Sequence, residues 1–221
     1  MRLIGSGRIV KVSEWVIFFV GLGTLMAAGT APAGDLTVNV SDTKGKPVRD
    51  AVITFTPSGV VVIPTKLRTA PYSISQKNLT FVPFVLAVPQ GATVSFPNQD
   101  TVRHHVYSLS PVHPFQLPLY GPGQTRFVEF DQVGTVSLAC DIHDSMKAFI
   151  RVVDTPWFAT TGEDGEAVLK NVPVGTGQLS VWQPLMEGIK HEDSRSFAMD
   201  AGDATQAFTI KTRARLSMAG M

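Results

Sequence analysis

Cysteine is almost missing from this 221-residue chain: there is one, Cys140, so no intrachain disulfide framework can exist. Net charge is nearly missing too. With 19 basic and 18 acidic residues, a formal charge of +1 and no long run of one sign, a broad cationic face for nucleic acid is excluded. No long stretch beyond the N-terminal segment keeps a 3.6-residue apolar period, which argues against a helical domain. Disorder is excluded by the 44% hydrophobic content, enough to build a substantial core.

What is present begins with Arg2, Arg8 and Lys11, an apolar run from Trp15 to Ala28, and Ala31-Pro32-Ala33. Charged start, apolar centre and small-residue end in that order predict a secretory signal over residues 1–33. A retained anchor is the alternative, because the run approaches the length of a membrane span. Cleavage after Ala33 removes three bases and one acid, takes the formal charge from +1 to −1, and leaves no span. Export gives the lone thiol meaning. In an oxidising compartment Cys140 is an intermolecular disulfide partner, a buried inert thiol, or a thiolate held by a metal.

Downstream, apolar and polar residues alternate in short runs: Leu36-Val38-Val40, Ala51-Ile53-Phe55, Val94-Phe96, Val136-Leu138-Cys140 and Ala148-Ile150-Val152. Period two predicts strands. Gly45-Lys46-Pro47, Pro89-Gln90-Gly91, Gly121-Pro122-Gly123 and Gly162-Glu163-Asp164-Gly165 supply turns between them, so the chain reads as all-β, in sandwiches. Residues 187–204 are polar and read as a loop. Residues 72–154 form one unit, flanked by 34–71 and 155–214, with a short tail at 215–221.

Within that unit runs Gly134-Thr135-Val136-Ser137-Leu138-Ala139-Cys140-Asp141-Ile142-His143-Asp144-Ser145-Met146. Alternation delivers Cys140 to the inward face, and the loop after it offers an imidazole and a thioether. Two imidazoles and a thiolate in a plane, with a weak axial thioether, suit both Cu(I) and Cu(II). Three of these donors occur here as Cys-x2-His-x2-Met. The fourth must come from another strand, and His104 and His105 stand upstream in Asn98-Gln99-Asp100-Thr101-Val102-Arg103-His104-His105-Val106.

At these residues the sequence resembles the cupredoxins, especially the plastocyanin and amicyanin group, whose upstream ligand lies in an Asn-x5-His-x-Val context. Matching Asn98 and Val106 selects His104, with His105 the alternative ligand. The resemblance implies a Greek-key sandwich holding one type 1 copper ion on His104, Cys140, His143 and Met146, with Asn98 behind them tying the two ligand loops together. Two departures stand out: Arg103 replaces a proline common before the upstream ligand, and Asp141, Ile142 and Asp144 surround the downstream ones. Carboxylates there favour the oxidised ion and imply a low reduction potential.

The flanks, with Asp42-Thr43-Lys44-Gly45-Lys46-Pro47 on one side and Asn171-Val172-Pro173-Val174-Gly175 on the other, look like two halves of a carboxypeptidase regulatory-like, transthyretin-like sandwich into which the copper unit is inserted. Gln76-Lys77-Asn78-Leu79-Thr80-Phe81-Val82-Pro83 and Thr155-Pro156-Trp157-Phe158-Ala159 extend a resemblance to periplasmic methylamine utilisation proteins. That resemblance implies a periplasmic carrier passing single electrons between partners such as a dehydrogenase and a cytochrome, through the His143 imidazole. Copper delivery without redox turnover is the alternative use of the same donors. A copper enzyme needs further histidine-rich centres, which five histidines do not supply. His113 and His191 read as surface loop residues, Glu163, Asp164 and Glu166 as a hairpin turn, and Trp157 and Trp182 as sandwich core.

Overall fold

Leu36, Val38 and Val40 are buried while Thr37 and Asn39 between them are not, and this alternation makes β1 (Ala33–Asp42) a strand with one face in a core. The computed structural model of the chain describes residues 33–213. The predicted signal up to Pro32 and the tail at 215–221 lie outside the described residues. After β1 the Asp42 carboxylate accepts the backbone N–H groups of Lys44 and Lys46 at 2.8 and 2.9 Å, closing the turn that leads to β2 (Val52–Pro57).

The chain then leaves this sandwich. A four-residue helix α1 (Thr65–Arg68) precedes the strands of a second one: β3 (Tyr72–Ser73), β4 (Ser75–Lys77), β5 (Thr80–Val82), β6 (Val85–Pro89), β7 (Ala92–Pro97), β8 (Val106–Ser108), β9 (Phe115–Gln116), β10 (Thr125–Phe130), β11 (Gly134–Cys140) and β12 (Lys147–Val153). It returns through β13 (Trp157–Thr160), β14 (Glu166–Pro173), β15 (Gly175–Trp182), β16 (Glu192–Met199) and β17 (Ala204–Ile210).

The outer sandwich joins both ends of the described chain. One sheet has the order β14-β1-β17 and the other β13-β2-β15-β16, so β1 and β2 pair with strands more than 100 residues away. Leu36, Ile53, Phe55, Leu169 and Leu179 fill the space between the sheets. Gly165 lies at φ +75 against β1, where a Cβ would come within 2.5 Å of the Val40 carbonyl oxygen; the turn therefore needs glycine. The inner sandwich sets β6-β12-β11-β8-β9 against β10-β7-β3 around Phe96, Phe130, Leu138 and Ile150. The all-β expectation from sequence is met, with α1 the only α-helix among the described residues.

One expectation fails. Residues 187–204, read as a loop, contain the eight-residue strand β16, which pairs with β15 from Trp182↔Glu192 to Gly175↔Met199. On the same face as the buried Leu179 and Val181, β16 carries Arg195 and Asp193, both exposed at the sheet edge. The Arg195 guanidinium spans to β17, donating to Gln206 Oε1 and the Ala207 carbonyl, each at 2.9 Å, and lying 4.3 Å from the centre of the Phe208 ring. Charge on that face hides the alternation that marks a strand.

The sandwiches meet along an apolar seam. Val52 and Trp182 from the outer one pack on Val85, Ala87 and Val153 of the inner one, with Phe84, Phe149 and Phe158 at its edges. Trp182, expected as core of one sandwich, belongs to this seam. Phe149 meets its ring edge-on at 6.3 Å, and Arg151 lies 5.5 Å from its centre while donating to Glu192 Oε2 at 2.6 Å and Thr135 Oγ1 at 3.1 Å. Truncating a buried tryptophan costs about 3–5 kcal/mol. Trp182→Ala is expected to split a single calorimetric unfolding transition into two, because the sandwiches lose their shared side chain; one transition at an unchanged temperature would show that the seam couples nothing.

Candidate metal centre

Val136, Leu138 and Cys140 occupy the inward face of β11, with the Cys140 sulfur buried at the strand's end. The ladder with β8 is short. Ala139 pairs with Tyr107 and Cys140 with Val106, and the Asp141 N–H continues it by donating to the His105 carbonyl at 3.2 Å. Val106 stands two residues beyond His104, so this register brings the upstream loop to the cysteine.

His104 is held from three sides. Its N–H donates to the Tyr120 carbonyl and its carbonyl accepts the Tyr120 N–H, both at 3.0 Å, which fixes the backbone. Its ring is fully buried, with Nε2 at 2.8 Å from Asp100 Oδ2 and Nδ1 at 3.7 Å from Cys140 Sγ. Nε2–H donating to the carboxylate leaves the Nδ1 lone pair facing the sulfur. His143 presents its own Nδ1 at 3.8 Å from the same sulfur. The Met146 N–H closes the turn on the His143 carbonyl at 3.0 Å, and the Met146 side chain is buried in the same inner core as Cys140.

The two imidazole nitrogens and the sulfur lie within 4.8 Å of one another. Metal–sulfur and metal–nitrogen bonds of about 2.3 and 2.0 Å, opened at about 120°, separate S from N by about 3.7 Å. The spacings of 3.7 and 3.8 Å meet that requirement. A thiolate with two imidazoles is donor chemistry that suits copper, and Met146 offers a thioether from the same core. The residues present therefore fit such an ion.

The structure does not bring His105 into this group. Its Nε2 lies 2.8 Å from Gln116 Nε2 and its Nδ1 3.6 Å from Asp141 Oδ2, and its ring stacks near Tyr107. His113 packs on Phe130 with Asp131 nearby, and His191 bonds the Met186 carbonyl. Asn98 is buried, donating through Nδ2 to the carbonyls of Val102 and Tyr120 at 2.8 and 3.2 Å and accepting the Asp100 N–H at 2.9 Å. Those bonds shape the upstream loop and join it to the Tyr120 segment, rather than to the 141–146 loop.

Five further residues around the site, Asp100, Asn78, Leu79, Tyr120 and Gln76, were not apparent in the sequence. Asp100 receives the backbone N–H groups of Asn78 and Leu79 at 2.5 and 3.1 Å besides the His104 ring. Desolvation pushes its carboxyl upward, but the Leu79, His104 and Asn78 bonds outweigh it and hold the group below the usual carboxylate range. Asn78 and Leu79 both adopt positive φ, a turn that aims two successive N–H groups at one carboxylate. Tyr120 donates to Gln76 Oε1 at 2.5 Å, and burial, the largest influence on it, raises the phenol and keeps it a neutral donor. The only sequence signal for Asp100 is its position four residues before His104.

No protein-family model matches this chain, and no curated protein matches it. Solved structures do overlap with it. A copper-containing nitrite reductase from Thermus scotoductus SA-01 is 29% identical over 45% of this chain, with a TM-score of 0.37; the match spans a quarter of the reductase's length. A purple cupredoxin from Nitrosopumilus maritimus is 21% identical, covering 37% of this chain and 99% of its own, with a TM-score of 0.35. An amicyanin variant in its Cu(I) form is 19% identical, covering 46% and 98%, with a TM-score of 0.36. Each overlap takes in less than half of this chain.

Removing a carboxylate that orients a ligating histidine typically costs 10- to 100-fold in metal affinity. Asp100→Asn is expected to weaken copper binding within about that range in competition against a chelator of known affinity. An unchanged affinity would mean that the Tyr120 backbone bonds alone orient His104.

Proposed function

We propose that the chain is an exported single-copper protein that carries one electron at a time between redox partners. The observation that carries this reading is the meeting of His104 Nδ1, Cys140 Sγ and His143 Nδ1 with sulfur–nitrogen spacings of 3.7 and 3.8 Å, with Met146 buried in the same core. A copper ion held there supplies a one-electron couple in a donor set that tolerates both oxidation states. The protein's part is to hold that set still. Asp100 keeps the His104 ring oriented, β11 fixes the thiolate, and the tight turn from Cys140 to Met146 limits how far His143 can move.

On this reading His104 and Cys140 are closed off from solvent, whereas His143 is half-buried between exposed Ile142 and Asp144 and forms the point of electron entry and exit. Asp141 and Asp144 are exposed there, so their pull on the potential is screened by water and salt. Residues 72–154 form the copper unit, inserted in a carrier sandwich made by 34–71 and 155–214. Export to the periplasm and partners such as a dehydrogenase or a cytochrome belong to the same proposal. Among the described residues no helix is long and apolar enough to cross a membrane.

The chain loaded with Cu(II) is expected to show an intense visible thiolate charge-transfer band and a reversible one-electron wave. Cys140→Ser and His104→Ala should abolish the band and His105→Ala should retain it; a band that survives His104→Ala would overturn the ligand assignment. Rapid loss of copper to a chelator with no reversible wave would instead favour delivery. Asp141→Thr is expected to raise the midpoint potential by an amount that shrinks as salt is added. A potential that stays put at low ionic strength would remove the carboxylate effect.

A further inference from the structure

One end of the outer sandwich carries an apolar surface that the electron-carrying role leaves unexplained. In the connection after β2, Val60 is 97% and Val62 74% exposed. Val174, at the turn between β14 and β15, is exposed as well. These tips belong to one end of the fold, since the Ser58 N–H donates to the Thr176 carbonyl at 2.8 Å. Beside them a cleft of about 470 Å³ is lined by Val62, Leu67, Trp157 and Val168. The Trp157 ring is partly exposed, with its indole N–H turned back onto the Asn171 carbonyl at 2.8 Å. Lys66, exposed on α1, lines the cleft too, whereas Arg68 lies over Gly91 in a separate cleft with Gln90 and Asp131. Lys170 is already engaged by Asp35 at 2.6 Å.

Exposed valines on a loop cost solvation free energy and contribute nothing to the core. Aliphatic tips, a tryptophan with one wet edge and an exposed lysine beside them are together the composition of a surface that seats in the interfacial layer of a bilayer. The chain's own order points to the same occupant. Ala33 pairs with Pro173, so the polypeptide enters β1 at this end, next to the Val174 turn. The apolar run Trp15 to Ala28 precedes it with only residues 29–32 between. Five peptide steps span at most about 18 Å. A chain that keeps that run in a membrane therefore holds Ala33, the first residue of β1, within that reach of lipid.

We propose that this end of the outer sandwich rests on the surface of an anionic lipid bilayer, with Val60, Val62 and Trp157 in the interfacial layer and Lys66 among the headgroups. The metal loops then point away from the membrane. The strand β12 runs from beside Met146 toward Trp157, and its seven residues span about 23 Å. The arrangement does not depend on which metal the protein holds.

The test uses the full chain with Trp15→Phe, so that Trp157 and the buried Trp182 are the remaining indoles. Vesicles of phosphatidylcholine and phosphatidylglycerol with brominated acyl chains are expected to quench its emission. Trp157→Phe in the same background should lose that quenching, and Val60→Asp with Val62→Asp should lose most of it while leaving the far-ultraviolet spectrum unchanged. Phosphatidylcholine alone should quench less. Equal quenching with and without the aspartates would overturn the proposal. So would self-association in lipid-free solution that the aspartates abolish, since it would give this face to a second copy of the chain.

Discussion

Two residue pairs, Ala139↔Tyr107 and Cys140↔Val106, set the metal centre, because they fix where the upstream histidines stand relative to the thiolate. Side chains alternate faces along a strand, so a slip of one residue in β11 would turn Cys140 outward and carry its pairing one step along β8. The same register explains the choice between the adjacent histidines. Val106 and His104 are two apart and point the same way, inward; His105 points to the other face, where Gln116 and Asp141 meet it. A pairing this short could drift by itself. It is held because Val136↔Ile150 and Leu138↔Ala148 lock β11 to β12 across buried residues, and because His104 is bridged to Tyr120 from the other side.

Burying an imidazole and a thiol together requires polar support, and the inner sandwich supplies it without opening a path for water. Asp100, Asn98, Gln76 and Tyr120 form a connected set in which one residue's acceptor is the next segment's donor. Among the described residues no buried side-chain nitrogen or oxygen lacks a hydrogen-bond partner. An unsatisfied polar group in such a place would cost about 1–3 kcal/mol. The short hairpin of β4 and β5 has its purpose here. Its positive-φ turn at Asn78 and Leu79 delivers two main-chain N–H groups to the Asp100 carboxylate, whose charge in turn orients the His104 ring.

The candidate donors could be read from the sequence because their chemistry is local: a cysteine at the end of an alternating run, then histidine and methionine in the loop it enters; the structure brings His104, Cys140 and His143 together. Asp100 was not, since an acidic residue in a polar loop is ordinary until the fold shows what its oxygens touch. Asn98 was visible through a family context, but its bonds reach Val102 and Tyr120, a partnership that depends on how the 117–121 segment crosses. The β-sandwich class followed from period two, whereas β16 was hidden by Arg195, whose guanidinium covers Phe208. Nor does any local pattern announce the parallel pairing of β1 with β17 or the seam at Trp182. Both join residues far apart in the chain, and a buried tryptophan looks the same in one core as between two.

The two histidines at the centre differ in how firmly they are held, and that difference bears on use. His104 is fixed by two backbone bonds, a carboxylate and complete burial. His143 rides on a turn whose neighbours Ile142 and Asp144 face solvent, with its main chain tied through the Met146 N–H. A carrier gains from one immobile side, because reorganisation between oxidation states slows transfer, and from one side near enough to the surface for a partner to approach. A delivery protein would need the opposite: an exposed donor set that opens. Here the loop is anchored at both ends by buried sulfur-bearing side chains, Cys140 on β11 and Met146 just before β12, which leaves the exposed residues between them little room to swing out. On the proposed reading, that constraint suits a carrier better than a delivery protein.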